Sequence, residues 1–250
     1  MSRLATVRLT LGLMAAADPR QPTWARRLAA EAFGTFALVF VAVGADTMAL
    51  VSGGDVGVVA RAVAPALMVA ALIYAIADAS GAHFNPVVSL AFALKRLFPV
   101  SWLAPYWAAQ VSGAIVACLV LRALFGAQVA AGVSTPHVPG STALAIEAIL
   151  TLLLVTVVLG TADRARIVGP DAALAVGATI ALCGLIALPI EGASMNPARS
   201  LAPAVVAGRT EDLWVYLLGP LLGATLAVAV TGLLHGAVRD DRSAEAAQGE

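Results

Sequence analysis

Two asparagine–proline pairs have residue types and a spacing suited to handling small hydrogen-bonding solutes: Asn85-Pro86 and Asn196-Pro197. Each pair follows small residues, and an asparagine can cap a helix whose first residue is proline. The helices predicted behind them, 87–94 and 198–206, are too short to cross a bilayer. Their side-chain amides offer N–H donors to a passing oxygen atom. Because broken helices inside a membrane are tolerated where they line a watery cavity, the two pairs indicate a solute path.

Two glutamates could also carry chemistry. Glu31 and Glu147 each open a long apolar stretch and precede one of the two asparagines at similar distances. A carboxylate near the bilayer centre costs about 2.5–3.5 kcal/mol on insertion scales, so each needs a role or a partner. Carrying a coupling proton is one such role, and structural support is another. Asp46 lies near the end of an apolar stretch, and we expect it to be solvated or to line a vestibule rather than to act as a buried proton relay.

The elements that must position these groups are membrane-spanning helices. Hydrophobic residues make up 60% of the chain and charged residues 12%, and the mean hydropathy of +0.91 lies outside the range of soluble domains. The chain has two cysteines, with no metal-ligand or disulfide spacing. Six apolar stretches are long enough to cross a bilayer, namely 28–51, 62–79, 102–125, 142–161, 172–188 and 213–234. The sequence therefore predicts an all-α membrane protein.

The chain is built from two similar units. A glutamate that opens a span, an Asn-Pro pair and a glycine where two helices are expected to cross recur in the same order in both halves. The halves are repeat one, about 28–126, and repeat two, about 142–236. Each repeat holds three spans and one half-helix. Because three is odd, the second copy is inserted upside down, and the two half-helices enter from opposite faces to meet near the midplane. One channel domain, 28–238, is the expected organisation.

The basic residues are unevenly distributed over this topology. Of the 15 lysines and arginines, eleven fall on the side of the termini and four on the other. The positive-inside rule therefore predicts that both termini are cytoplasmic, for a protein of the inner (cell) membrane. Residues 1–27 form a predicted cytoplasmic tail. Residues 239–250 form a second, polar tail that we expect to be disordered.

These motifs together resemble the aquaporins, the major intrinsic protein family, over about 29–234. The segments 80–86 and 192–201 are most similar to the nodulin-like branch and its bacterial relatives. The resemblance implies six transmembrane helices with two re-entrant half-helices, a homotetramer with one pore per subunit, and no cofactor or metal. It places six residues at the pore midplane, although Val87 stands where alanine is usual: Asn85, Pro86, Val87, Asn196, Pro197 and Ala198.

The resemblance also implies roles for other residues. Counting back from the two asparagines gives a selectivity filter of Pro65, Gly184, Ala193 and Arg199. Water-selective relatives have an aromatic residue and a histidine at the first two positions, so a wider, less polar opening is expected here, with Arg199 as the main donor. Ser200 replaces the aspartate of typical glycerol facilitators. Glu31 and Glu147 would brace the re-entrant loops, and His83 would line the cytoplasmic vestibule.

These observations predict a passive channel for small uncharged solutes that excludes protons and ions. Water, glycerol-like polyols, urea and neutral metalloid hydroxides such as arsenous acid are the candidate solutes. A proton-coupled secondary transporter is one alternative, since inverted repeats and membrane glutamates also occur there. A membrane scaffold is the other, compatible with the close-packing pattern Gly219-x-x-x-Gly223. An enzyme is not expected, because no nucleophile and base stand at a plausible spacing.

Overall fold

The computed structural model describes residues 22–162, 170–236 and 241–249, and the regular elements within these ranges are helices. Six helices are long and apolar enough to cross a membrane, which confirms the six predicted spans. We number the α-helices in chain order: α1 Trp24–Val51, α2 Val58–Ser80, α3 Pro86–Leu94, α4 Leu103–Phe125, α5 Gly140–Ala162, α6 Pro170–Glu191, α7 Pro197–Ala207, α8 Leu213–His235 and α9 Asp241–Gln248. Short 3-10 helices cover Val100–Trp102 and Gly126–Gly132.

The helix ends follow from local residue chemistry. The Thr23 hydroxyl accepts a hydrogen bond from the Arg26 amide at 3.3 Å and so caps the start of α1. α2 ends where Gly81 takes a left-handed conformation, φ +86°. Proline is the first residue of both half-helices, α3 and α7, where its missing N–H has no intrahelical partner to lose. Pro65 lies inside α2, which continues past it to Ser80.

Equivalent helices of the two repeats pack in the same way. α1 packs on α4 and α5 packs on α8, and each pair crosses at a glycine of the second helix. A methyl group at Gly113 would lie 2.0 Å from the Ala32 carbonyl oxygen, and one at Gly223 would lie 2.3 Å from that of Ala148. Neither crossing has room for a side chain. The contact between α2 and α6 then joins the two repeats along the middle of the bundle.

The chain ends help to define the two faces of the bundle. We call the face where α1 begins and α2 ends the terminal face, and the other the opposite face. α9 lies at the terminal face and packs against α2 and α5. The expectation of disorder over 239–250 is therefore wrong for 241–248, because Ala247 is buried in an apolar cluster with Phe92 and Phe98. Residues 1–21 of the predicted N-terminal tail lie outside the described ranges.

Candidate transmembrane pore

A long cavity follows the helix axes between the two repeats. Side chains four residues apart lie on one face of an α-helix, so each lining helix contributes one line of residues. The lines on α2 and α6 reach from near one face of the bundle to near the other. They consist of Arg61, Pro65, Val69, Ile73 and Ala77 on α2, and Ala172, Val176, Ile180, Gly184 and Leu188 on α6. Shorter lines on α1 and α5 complete the wall.

The loops that precede α3 and α7 share an unusual backbone. In the first loop Ala82 and Phe84 have φ values of +53° and +48°, and in the second Ala193 and Met195 have +44° and +53°. Left-handed conformations of residues with side chains cost about 1–3 kcal/mol each. The four residues occupy equivalent positions in the two repeats. Surrounding structure must therefore hold both loops in place.

The two glutamates supply much of that support. Glu31 accepts hydrogen bonds from the backbone amides of His83 at 2.9 Å and Phe84 at 2.8 Å. Glu147 accepts them from Ser194 at 2.5 Å and Met195 at 2.9 Å. Both glutamates are fully buried. Each carboxyl group thus provides acceptors for two loop amides that would otherwise be buried without a partner.

The two asparagines cap the half-helices and line the cavity. The Asn85 side-chain oxygen accepts the Val87 amide at 3.1 Å, and that of Asn196 accepts the Ala198 amide at 3.0 Å. Asn85 and Asn196 both contribute to the cavity wall. Val87 and Ala198 are buried in the first turns behind them, where Pro86 and Pro197 begin the helices.

The asparagine amides also connect the repeats. Nδ2 of Asn85 donates to the Met195 carbonyl oxygen at 2.8 Å, and Nδ2 of Asn196 donates to that of Phe84 at 2.9 Å. An asparagine NH₂ group has two N–H bonds, so one remains on each residue. The centre of the cavity therefore holds two fixed donors beside the N-termini of two half-helices.

The four predicted filter residues all lie on the wall of this cavity: Pro65, Gly184, Ala193 and Arg199. None of the first three has an aromatic or imidazole ring, so this part of the wall consists of the proline ring, the glycine backbone and the alanine methyl group. A methyl group at Gly184 would lie 3.0 Å from the Ala62 side chain of α2. Gly184 therefore lets α6 approach α2 closely at the filter.

Arg199 is held by three acceptors. Its Nη1 donates to the Gly132 carbonyl oxygen at 2.9 Å and to the Ser134 hydroxyl at 2.8 Å, and its Nη2 donates to Asp46 at 3.0 Å. Asp46 is only 6% exposed, so it is not freely solvated, and it lies on the cavity wall near the opposite face, as expected of a vestibular residue. Its other oxygen accepts a hydrogen bond from Nε of Arg61 at 2.7 Å. A charge-bearing group on a predicted span end thus belongs to the pore wall.

A chain of serine hydroxyls extends the Arg199 site. The hydroxyls of Ser134 and Ser200 lie 2.8 Å apart, and the Ser200 hydroxyl donates to that of Ser194 at 2.6 Å. Ser194 donates in turn to the Asn196 carbonyl oxygen at 3.0 Å. Sequence reasoning did not single out Ser134, which lies far from the motif residues in the chain and joins them through folding.

His83 lies at the end of the cavity near the terminal face. Its Nε2 lies 2.9 Å from the Ala247 carbonyl oxygen and its Nδ1 lies 2.9 Å from the Ser89 hydroxyl. A carbonyl oxygen only accepts, so Nε2 carries the proton and Nδ1 accepts from Ser89. Burial lowers the pKa of His83 to about 3, which keeps the ring neutral. Among the described residues, no group of three potential metal ligands surrounds it.

Comparison with known proteins agrees with this geometry. A family model described as Major intrinsic protein matches residues 18–231. The chain is 43% identical over 206 residues to Aquaporin NIP1-1 of Oryza sativa subsp. japonica, covering 80% of this chain and 70% of that protein. It is 41% identical over 207 residues to Aquaporin NIP2-3 of Zea mays, covering 83% and 69%.

A solved structure shares the fold. The X-ray structure of the aquaglyceroporin from Plasmodium falciparum superposes with a TM-score of 0.74, covering 83% of this chain and 95% of that chain at 24% sequence identity. At this identity the likeness concerns the fold alone. The two plant relatives described above are nodulin-like intrinsic proteins, in agreement with the motif resemblance. The chain belongs to the major intrinsic protein family, the aquaporins.

Proposed function

We propose that this membrane channel passively conducts small uncharged solutes and excludes protons and ions. The solutes are water, glycerol-like polyols, urea and neutral metalloid hydroxides such as arsenous acid. The protein acts in the inner (cell) membrane as a homotetramer with one pore per subunit and with both termini in the cytoplasm. The observation that carries this proposal is the cavity between the repeats, with two asparagine amides fixed at its centre.

The centre of the cavity favours neutral solutes. α3 and α7 direct their N-termini to this point, and each helix N-terminus carries roughly half a positive elementary charge. Cations are repelled there, while the remaining N–H of Asn85 and of Asn196 donates to an oxygen atom of the solute. Waters on the two sides are oriented oppositely by the two dipoles, which interrupts a proton-conducting chain.

The engaged glutamates support a channel rather than a coupled transporter. A proton carrier must alternate between two states, whereas Glu31 and Glu147 are both buried and both hydrogen-bonded to strained loops. Releasing either carboxylate would leave two loop amides without an acceptor. A Glu31→Gln protein should therefore lose stability, while flux through each folded channel stays independent of an imposed pH gradient.

The direct test is stopped-flow light scattering on proteoliposomes, with water, glycerol, urea and arsenous acid as separate solutes. We expect permeation of water and of at least one larger solute, without accumulation against a gradient. A pH-sensitive dye inside the same vesicles measures proton leakage. Proton flux as fast as water flux would contradict the proposal, and accumulation of a solute driven by a pH gradient would indicate the transporter instead.

Gly184→His tests the filter. A β-carbon at Gly184 would lie 3.0 Å from the Ala62 side chain, so α6 must shift slightly, and the imidazole would narrow the cavity beside Pro65. Passage of glycerol through the folded variant should fall strongly while water still passes. Gly232→His is the matched control, because Gly232 is exposed on α8 and a methyl group there would meet no atom within 4 Å. Equal glycerol flux in the Gly184→His and parent proteins would place the constriction elsewhere.

A further inference from the structure

The two ends of the cavity differ in charge. Near the opposite face the wall contains Asp46, Arg61 and Arg199. The repeat relation that pairs Glu31 with Glu147 also pairs Asp46 with Ala162. The relation that pairs Asn85 with Asn196 pairs Arg61 with Ala172 and Arg199 with Val88. All three counterparts are apolar and line the other end of the same cavity: Ala162, Ala172 and Val88. Of the two equivalent positions in each pair, only the one near the opposite face is therefore charged.

Arg199 has few donors left for a solute. A guanidinium carries five N–H bonds. Three of those on Arg199 are directed to Gly132, Ser134 and Asp46. The side chain is 8% exposed. Its capacity to recognise a solute oxygen is therefore limited to the two N–H bonds that remain.

Arg61 is in the opposite situation. Only its Nε is hydrogen-bonded within the described part of the chain, to Asp46 at 2.7 Å. The side chain is 28% exposed and lines the cavity. This leaves the four N–H bonds of its two terminal nitrogens directed to no protein acceptor there. Asp46 holds the stem of this guanidinium in place, as it also holds Arg199.

We propose that Arg61, positioned by Asp46, is a further selectivity residue of the pore and favours solutes with several acceptor oxygens. The proposal rests on the proposed channel function and names its preferred solute class. A triol such as glycerol presents three hydroxyl oxygens to the donors of Arg61 and Arg199. Urea presents one oxygen, and its two NH₂ groups need acceptors that two guanidiniums cannot supply. The charged mouth therefore ranks polyhydroxy solutes above urea.

The test is the glycerol-to-urea permeability ratio in proteoliposomes. Arg61→Met keeps much of the side-chain length but removes all donors. The ratio should therefore fall about threefold to tenfold, the effect expected from the loss of one hydrogen bond to glycerol. Arg61→Lys keeps the charge but not the fork of donors, and should give an intermediate ratio. Arg209→Met is the control, since Arg209 is exposed and lines a separate surface cavity near the same face.

A double-mutant cycle tests the role of Asp46. Asp46→Asn should lower the same ratio, and combining it with Arg61→Met should add little, because both changes remove one unit. An unchanged ratio in folded Arg61→Met and Arg61→Lys proteins overturns the inference while leaving the channel function intact. If the parent and every folded variant pass neither solute, the proposed function itself is contradicted.

A second inference concerns the other mouth. α9 lies there, and Ala246 forms part of the cavity wall. The Ala247 carbonyl oxygen accepts a hydrogen bond from Nε2 of His83, and Gln248 donates to the Leu97 carbonyl oxygen at 3.2 Å. Gly81 also fits closely, since a methyl group there would lie 2.4 Å from the Ala247 oxygen. α9 is thus docked into the pore entrance by specific contacts.

We infer that α9 closes the mouth of the pore at the terminal face and must leave for solutes to pass. This inference also rests on the proposed channel function. A chain ending at Gly236 lacks the helix, and its water and glycerol fluxes should rise several-fold above those of the parent. Ala247→Asp places a charge in the apolar cluster around Phe92 and Phe98, so it should raise flux in the full-length chain.

Glu245→Gln is the matched control, because Glu245 is exposed on the same helix. It should behave like the parent. Truncated and Ala247→Asp proteins that are folded but conduct no faster than the parent overturn the inference. If the truncated protein alone conducts, both the closure by α9 and the channel function are supported, whereas vesicles in which no variant conducts contradict the channel function.

Discussion

The two re-entrant loops are each held by a glutamate at an equivalent position, but the other hydrogen-bond partners of the two glutamates differ. In repeat one, Glu31 also accepts hydrogen bonds from the Ser80 hydroxyl and from Nε2 of Gln110, both at 2.7 Å. In repeat two the equivalent positions are Glu191 and Pro220, and neither supplies such a donor. The loops nevertheless share their left-handed backbone. Two amide hydrogen bonds to a glutamate are common to both, and the remaining partners have diverged.

The divergence creates an unusual contact in repeat two. Glu191 is fully buried, and its carboxyl group lies beside that of Glu147. One of its oxygens accepts the Ala193 amide at 2.9 Å, and the other finds no donor group among the described residues. Glu191 thus provides an acceptor for one further loop amide, that of Ala193, although two neighbouring carboxylates repel each other. Repeat one achieves the same end with a hydroxyl.

Removing each glutamate should give the largest effects. Glu31→Ala and Glu147→Ala each leave two buried amides without an acceptor, which costs about 2–6 kcal/mol of unfolding free energy. The loss should be larger for Glu31→Ala, because two side-chain donors also lose their acceptor, while Glu147→Ala relieves a contact between carboxyl groups. Thermal unfolding in detergent, followed by tryptophan fluorescence, measures both. Equal losses would show that the side-chain partners contribute nothing.

A smaller effect should follow from Gln110→Leu. Leucine fills a similar volume but withdraws one donor from the Glu31 carboxylate, and hydrogen bonds to charged groups are worth about 1.5–3 kcal/mol. Gln128→Leu is the control, since Gln128 is exposed. If the unfolding midpoint of Gln110→Leu matched that of the control, the brace of repeat one would not depend on the Gln110 amide, which has no counterpart at Pro220 of repeat two.

Glu191→Ser should have the smallest effect and make the second brace resemble the first. In repeat one the Ser80 hydroxyl donates to Glu31 and accepts the Ala82 amide at 3.2 Å. A serine at 191 can do the same for Glu147 and Ala193, so stability should stay unchanged or rise by about 1 kcal/mol. The exposed Glu211→Ser is its control. A marked loss of stability would mean that the carboxyl pair itself stabilises the loop.

Much of the architecture is predictable from the sequence because membrane rules act on composition and spacing. Long apolar stretches define the spans, and asparagine–proline pairs define where the half-helices begin. Counting back along the chain from Asn85 and Asn196 to the filter positions of similar aquaporins also finds residues of the cavity wall. Pro65 and Gly184 were placed on the cavity wall in this way.

The cluster around Asp46 could not be found by counting. Asp46, Arg61 and Arg199 lie on three different helices, and a charge near a span end has a solvated alternative that no spacing excludes. The helix α9 was missed for a related reason. Its sequence is polar, and its order depends on burial of Ala247 in the apolar cluster with Phe92 and Phe98 and on the contact with His83 in a distant loop. Both features require knowledge of which elements meet in the folded chain.

The crossed asparagine bonds have a consequence for biosynthesis. Asn85 is made long before Met195, the residue whose carbonyl its amide contacts, and Asn196 needs Phe84 in turn. When the first half of the protein leaves the ribosome, the Asn85 amide therefore lacks its final acceptor. Only the second re-entrant loop supplies that carbonyl oxygen. The contacts at the centre of the cavity can therefore form only after the second re-entrant loop has been synthesised. Neither half alone contains a finished pore.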